Sequence, residues 1–299
     1  MKIIGCPDLH IREKRPENRT DKDYFQAQFE KIEWILKFAA SNDAVIFFPG
    51  DVFDSPTQSN FVLQKYINLF YAYSQISIGA VAGQHDMRYH STDPGNTALA
   101  VLDAAHVLYS FKGPQCFEDV TVYGCNFGEA IPEITSGGFN ILVIHKMIVD
   151  DKLWEGQEEF EYAPNILRKN NFDLIISGDN HKAFHVQAGK KFLFNCGSLM
   201  RSTTAQLEHI PQIVLFDTDT KGYEIVPIPV KPISEVFDLS KIEEKKEKEA
   251  KFEAFVKGLS ESKDISLNFQ DRLISYVKEN EISNDIYNLI MEAANGRNS

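Results

Sequence analysis

No stretch of apolar residues in this 299-residue chain approaches the roughly 20 that a membrane-spanning helix needs, which excludes a helical membrane protein. Cysteine is scarce. The four present, Cys6, Cys116, Cys125 and Cys196, include no C-x-x-C pair, and the chain is far longer than the disulfide-stapled class, so reduced thiols are expected. Positive charge is also short: 31 Lys and Arg against 43 Asp and Glu give a net charge of −12. Such a balance offers no overall pull toward nucleic acid or an acidic membrane, so a polyanion would have to bind through local positive charge or bound metal. Internal repeats and low-complexity tracts are missing, and Asp8 interrupts MKIIGCPDLH before a signal-peptide core could develop, so a cytoplasmic location is expected. What is present is material for a core: 43% hydrophobic residues and 12% aromatics suffice for one large α/β domain or two ordinary ones.

The first two-thirds alternates β-branched and aromatic runs with amphipathic stretches, the pattern of strands interleaved with helices. KIIGC reads as a strand; Phe25, Phe29, Ile32, Ile35 and Leu36 place a helix over 23–40; AVIFFPG is a fully apolar strand entering a turn. A second helix runs through Phe61, Leu63, Ile67 and Leu69, ISIGAVAG is a third strand, and a helix follows from Asn96 to Ala105. Beyond His106 come shorter strands, VTVYG, FNILVIH and DLIISG, with hairpins around Gly189-Lys190 and Thr220-Lys221-Gly222. Pro227, Pro229 and Pro232 mark a linker, giving expected domains 1–230 and 231–299. The second is read as a helical appendage: Glu244 and Lys248, and Glu247 and Lys251, pair at i,i+4, and Phe252, Phe255, Val256 and Leu259 form a stripe. Further short helices are expected over 269–279 and 284–294, the latter with Ile286, Leu289 and Ile290 on one face.

Five polar blocks sit at the carboxyl ends of the expected strands, where α/β folds build sites. They are Asp8-Leu9-His10, Gly50-Asp51-Val52-Phe53-Asp54, Gly83-Gln84-His85-Asp86, His145, and Gly178-Asp179-Asn180-His181. An extended D-x-H sends both side chains to one face, so Asp8 and His10 can share a metal. Glycine before Asp51, Gln84 and Asp179 lets the backbone turn sharply and aim each side chain inward. Any one block alone is ordinary turn chemistry or a core histidine. Their ordered recurrence, each with an oxygen or imidazole donor, points to a metal site.

The set resembles the calcineurin-like metallophosphoesterase superfamily, whose blocks run D-x-H, G-D-x-x-D, G-N-H-D, H and G-H-x-H in this order; the resemblance covers roughly residues 1–200. It implies a four-layer αββα sandwich and a two-metal site at the strand ends. Carried over by position, one metal falls to Asp8, His10, Asp51 and His181, the other to Asp51, Gln84, His145 and Asp179, with Asp51 bridging. This chain has Gln84 where the family has asparagine and Asp179 where it has the first histidine, and both departures fall on the second metal. Oxygen then outnumbers nitrogen in that shell, which favours Mn²⁺, with Mg²⁺ as the other hard cation, over Zn²⁺. Within the superfamily the chain looks most like the SbcD-type DNA nucleases, including bacteriophage recombination-nuclease subunits, through the long helix after D-L-H, GDVFDSPTQS entering a helix, and Phe194-Asn195-Cys196-Gly197-Ser198. That branch implies DNA as substrate, an SbcC-like ATPase as partner, and a homodimer through the Phe61–Tyr73 helix.

Paired cations acidify a bridging water and clamp phosphoryl oxygens, so hydrolysis of a phosphate ester follows. His85, with no metal assigned, would face the leaving group as general acid, with Asp86 holding its tautomer. Asp54 would support the loop. Arg88, Lys182 and Arg201, with Lys146, are the basic residues near the blocks and candidates for holding phosphate; His90 and His185 are read as bystanders. Two other readings remain: a phosphomonoesterase or cyclic-nucleotide phosphodiesterase with a small substrate, favoured by the acidic charge, and a non-catalytic scaffold with a degenerate site, suggested by Gln84 and Asp179.

Overall fold

The structure, a computed structural model, describes residues 1–88, 95–153 and 157–240. The chain divides into a compact unit Met1–Leu239 and a second, Ser240–Ser299. The helices and apolar stripes expected beyond residue 240, and His90, lie outside the described residues.

In chain order the elements are β1 Lys2–Gly5, α1 Tyr24–Asn42, β2 Ala44–Phe48, α2 Asn60–Ala72, β3 Ile78–Ala80, α3 Ala98–Ala104, β4 Tyr109–Ser110, β5 Gln115–Phe117, β6 Val120–Cys125 and β7 Phe139–His145. There follow β8 Ile148–Val149, β9 Glu161–Tyr162, α4 Ala163–Lys169, β10 Leu174–Gly178, β11 Phe184–Ala188, β12 Lys191–Asn195, β13 Gln212–Asp217, β14 Tyr223–Pro227 and α5 Ile233–Val236. Two six-stranded sheets form, ordered β14-β13-β1-β2-β3-β4 and β11-β12-β10-β7-β6-β5, besides the small β8-β9 pair. β1 to β4 run parallel, as do β6, β7, β10 and β12, while β13, β14, β11 and β5 pair antiparallel.

Side-chain alternation sorts the layers. Ile3, Phe47, Val214 and Phe216 of the first sheet pack with Ile141, Val143, Ile176 and Phe194 of the second, filling the space between them. The neighbours one step along face outward: Ile4, Ile46 and Phe48 pack under α1, α2 and α3, and Leu142, Ile144 and Ile175 under Ile166 and Leu167 of α4. The result is the expected αββα sandwich.

Helix α1 begins where Asp23 accepts a hydrogen bond from the Gln26 amide at 2.8 Å, and α2 where Ser59 accepts from Val62. The buried face of α2 is Val62, Tyr66, Leu69 and Phe70, leaving Phe61 47% exposed. After β14 the chain stays on the body: Ile228, Val236 and Phe237 are buried, and Thr20 N–H donates to the Val236 carbonyl. All four cysteines are free thiols, three of them buried.

Candidate metal centre

The carboxyl ends of β1, β2 and β3 in one sheet and β7 and β10 in the other open on the same edge of the sandwich. Backbone hydrogen bonds fix the loops there. Asp8 N–H donates to Gly197 O and Leu199 N–H to Asp8 O, both at 2.9 Å, while His10 N–H donates to Asp51 O at 2.8 Å. From α1 the buried Gln28 reaches across: its amide donates to the Leu9 and His10 carbonyls, each at 2.9 Å, and its oxygen accepts from Arg12 N–H at 3.1 Å. Gln28→Leu should therefore strand three backbone groups, lowering stability by about 1–3 kcal/mol per group left buried without a partner and weakening cation binding through His10. Thermal melts and calorimetric cation titration read the two effects.

Seven predicted ligands converge. Asp51 Oδ2 lies 3.6 Å from His10 Nε2 and 3.4 Å from His145 Nε2, and Asp51 Oδ1 accepts from His85 N–H at 2.9 Å. His10 and His181 face each other through their Nε2 atoms at 3.0 Å, and His181 Nε2 is 3.8 Å from Asp8 Oδ2. Across the site His145 Nε2 is 4.0 Å from Asp179 Oδ1, which accepts from Gln84 Nε2 at 2.9 Å. Since a carboxylate oxygen only accepts, the Gln84 amide must turn its Oε1 the other way. His145 Nδ1 donates to the Pro49 carbonyl at 2.7 Å, which turns Nε2 toward the site.

The buried atoms left without a hydrogen-bond partner include Asp8 Oδ1, Asp51 Oδ2, Gln84 Oε1 and His145 Nε2. These are donor atoms of the kind cations take, and orphaned buried polar groups are otherwise costly. Charge agrees. Burial works to lower the His145 pKa, yet the Asp51 carboxylate 3.4 Å away, then the charges of Asp8 and Asp179, lift it to about 10. For Asp51, burial works to raise the pKa, but His145, then His10 and His85, hold it at about 2. Burial first, then His181 and His85 against the pull of Asp51, brings His10 down to about 3 and leaves a neutral imidazole. The pocket draws a proton onto His145, and a cation would take that proton's place. Groups with ligand geometry are Asp8, His10 and His181, and His10, Asp51 and His85. The residues present fit divalent cations.

Four expectations need correction. The extended D-x-H is not extended: His10 has φ 45°, and Asp51 and Asp179 have φ 46° and 79°. The left-handed turns thus fall on candidate ligands themselves, a strain that packing must hold. Of the three glycines before Asp51, Gln84 and Asp179, only Gly50 has positive φ; Gly83 and Gly178 provide room, since a Cβ at Gly83 would strike Asp51 and one at Gly178 would sit 2.6 Å from Pro49 O.

Asp86 does not touch the His85 ring. It is buried and accepts from Val52, Phe53 and Gly83 N–H at 2.8–3.1 Å, pinning the Asp51 loop, while burial and then Asp51 push its pKa up to about 7. His85 Nδ1 instead donates to the Asp54 carbonyl at 3.1 Å.

The basic residues also redistribute. The catalytic cleft, about 180 Å³, is lined by Asp8, His10, Arg12, Asp54, His85 and His181 among others. Arg88 is exposed and donates to Asn96 O, Lys146 pairs with Glu161, Lys182 lies 3.8 Å from Asp150, and Arg201 is buried with its Nη2 on Lys231 O. None of these four lines the cleft. Arg12 does, held 3.2 Å from Asp54; its place two residues after His10 was the signal available in the sequence. His185 stacks on Phe194, away from the cluster.

The calcineurin-like phosphoesterase family matches residues 1–183. Among solved structures the chain is similar to the Pseudomonas putida nuclease MPE, at 12% identity over 74% of this chain and 85% of that one, with a TM-score of 0.33. No curated protein matches it.

Proposed function

The chain belongs to the calcineurin-like phosphoesterase family and is a metal-dependent phosphoesterase; from that premise we propose that it cleaves phosphodiester bonds in DNA as an SbcD-type nuclease using Mn²⁺. The observation that carries the two-cation reading is Asp51. One of its oxygens is buried and unpaired, with His10 Nε2 at 3.6 Å and His145 Nε2 at 3.4 Å.

Asp8, His10, Asp51 and His181 would hold one cation, and Asp51, Gln84, His145 and Asp179 the other. Bound there, the cations supply an acidified water and neutralise charge on the phosphoryl group. His85, oriented by the Asp54 carbonyl, delivers a proton from Nε2 to the departing oxygen. Arg12, fixed by Asp54, offers its guanidinium to a phosphoryl oxygen. Asp86 acts through the Asp51 loop as a positioning residue.

A chain-like substrate is favoured by what adjoins the cleft. A groove of about 660 Å³ shares His181, Thr203 and Gln206 with it and continues past Lys182 to His209 and Ile210. A small monoester needs no such extension. Incubated with Mn²⁺, the full chain should cut end-labelled DNA and a chromogenic bis-phosphodiester while sparing a monoester. Monoester turnover alone would establish the small-substrate alternative, and cation binding without any turnover the scaffold.

The reading extends to partners. An SbcC-like ATPase subunit would dock on one of the two sequence stripes, Phe252, Phe255, Val256 and Leu259 or Ile286, Leu289 and Ile290, and a second copy on α2, where Phe61 and Tyr71 are exposed. Removal of residues 240–299 should leave diester hydrolysis intact and abolish ATPase capture.

A further inference from the structure

On the other side of Met200 from the catalytic cleft lies a second pocket of about 290 Å³, and Met200 lines both. Four basic residues line it, Arg19, Lys31, Arg201 and Lys231, against two carboxylates, Asp21 and Glu30. In a chain of net charge −12 this is a concentrated local excess.

The arrangement is built rather than incidental. Arg19 is buried, and its Nε and Nη2 hold both oxygens of Asp21 at 2.7 and 2.8 Å, so that carboxylate is committed. Its Nη1 donates to Arg201 O at 3.0 Å, and Lys31 Nζ donates to Leu199 O at 3.0 Å. The rings of Tyr24 and Phe237 flank the Arg19 guanidinium at 5.4 and 5.3 Å. Arg201 is 6% exposed, and its Nε is buried with no acceptor. An unpartnered guanidinium donor in a cationic pocket lacks one thing, an anion with several acceptor oxygens. Lys231, exposed, also lines the pocket and brings an ammonium on a flexible four-carbon stem. Burial first, then the charges of Arg19 and Arg201, pulls Lys31 down to about 7.

We propose that this pocket is a phosphate-binding site separate from the metal centre, with Arg201 Nε and the Lys231 ammonium as its donors. The site takes a phosphate group, supplied either by free phosphate or by a backbone phosphate of nucleic acid. It does not depend on the hydrolytic reading, because none of its cations lines the catalytic cleft.

Trp34 lines the pocket, and the only other tryptophan is Trp154. In full-length Trp154→Phe protein, with EDTA present to keep cations from the neighbouring cleft and ionic strength held constant, inorganic phosphate should change Trp34 fluorescence saturably. Lys231→Glu, an exposed change, should weaken that response about tenfold or more, and Arg201→Lys should weaken it while keeping the charge. Lys65→Glu, on α2 and outside the pocket, should leave it unchanged. A single-stranded oligonucleotide that gives the same signal and is displaced by phosphate identifies the backbone source; a response to phosphate alone identifies the free anion. Absence of a saturable response across the millimolar range, or a response indifferent to Lys231→Glu, overturns the proposal even if the Arg201 variant fails to fold.

Discussion

Turnover of the His85→Ala variant should fall about 10²- to 10⁴-fold, the usual cost of losing a general acid, while both cations bind as before. His85 touches the site in two ways. Its backbone N–H holds Asp51 Oδ1 at 2.9 Å, which alanine preserves, and its ring hangs from the Asp54 carbonyl by Nδ1, which alanine removes. The rival role is ligation, since the ligand atoms of His10, Asp51 and His85 lie within 4.8 Å of one another. Calorimetry separates the two: unchanged stoichiometry and affinity with lost turnover assign the ring to proton transfer, whereas loss of a cation assigns it to the metal shell. A leaving group of low pKa should also rescue the variant, because it departs without a proton.

That His85 could be singled out in the sequence while its supporting partner could not has a physical cause. Donor residues at strand ends are legible because the strand period and the sheet edge fix where they emerge. Asp8, Asp51, Gln84, His145 and Asp179 each follow or end an apolar run, and the two sheets bring those ends together. Second contacts are different. Asp86 adjoins His85 in the chain, but its side chain turns back to three amides of the loops at 52–53 and 83. The residue that orients His85 contributes only a carbonyl, which any amino acid carries.

Gln28 shows the same limit from the other direction. It sits on the helix face with Ile32, Ile35 and Leu36, where a polar residue reads as an interruption, and only the folded loop at 9–12 gives its amide three partners. Helix α4 went unread because seven residues opening Ala163-Pro164 offer little more than Ile166 and Leu167 as a stripe. Arg201 was legible as a cation near Gly197-Ser198 but not as a buried one, since the turn at 199–201 swings it to the far side of Met200.

Asp179→His should tighten the second cation site and widen its use toward Zn²⁺, because it restores an imidazole to a shell where oxygen from Asp51, Gln84 and Asp179 meets a single nitrogen from His145. The backbone allows the change: φ is 79° at Asp179, and histidine is among the residues that accept the left-handed region. The change removes one acceptor, since a cation-bound imidazole carries N–H on its other nitrogen and cannot take the hydrogen bond that Asp179 Oδ1 now receives from Gln84 Nε2 at 2.9 Å. In the unaltered protein that oxygen-rich shell should make this the weaker site, preferring Mn²⁺, beside a tighter one at Asp8, His10 and His181. Metal analysis that finds two equally tight Zn²⁺ ions in the unaltered chain, or calorimetry that finds the same preference in Asp179→His, would show that ligand hardness does not set the selectivity here.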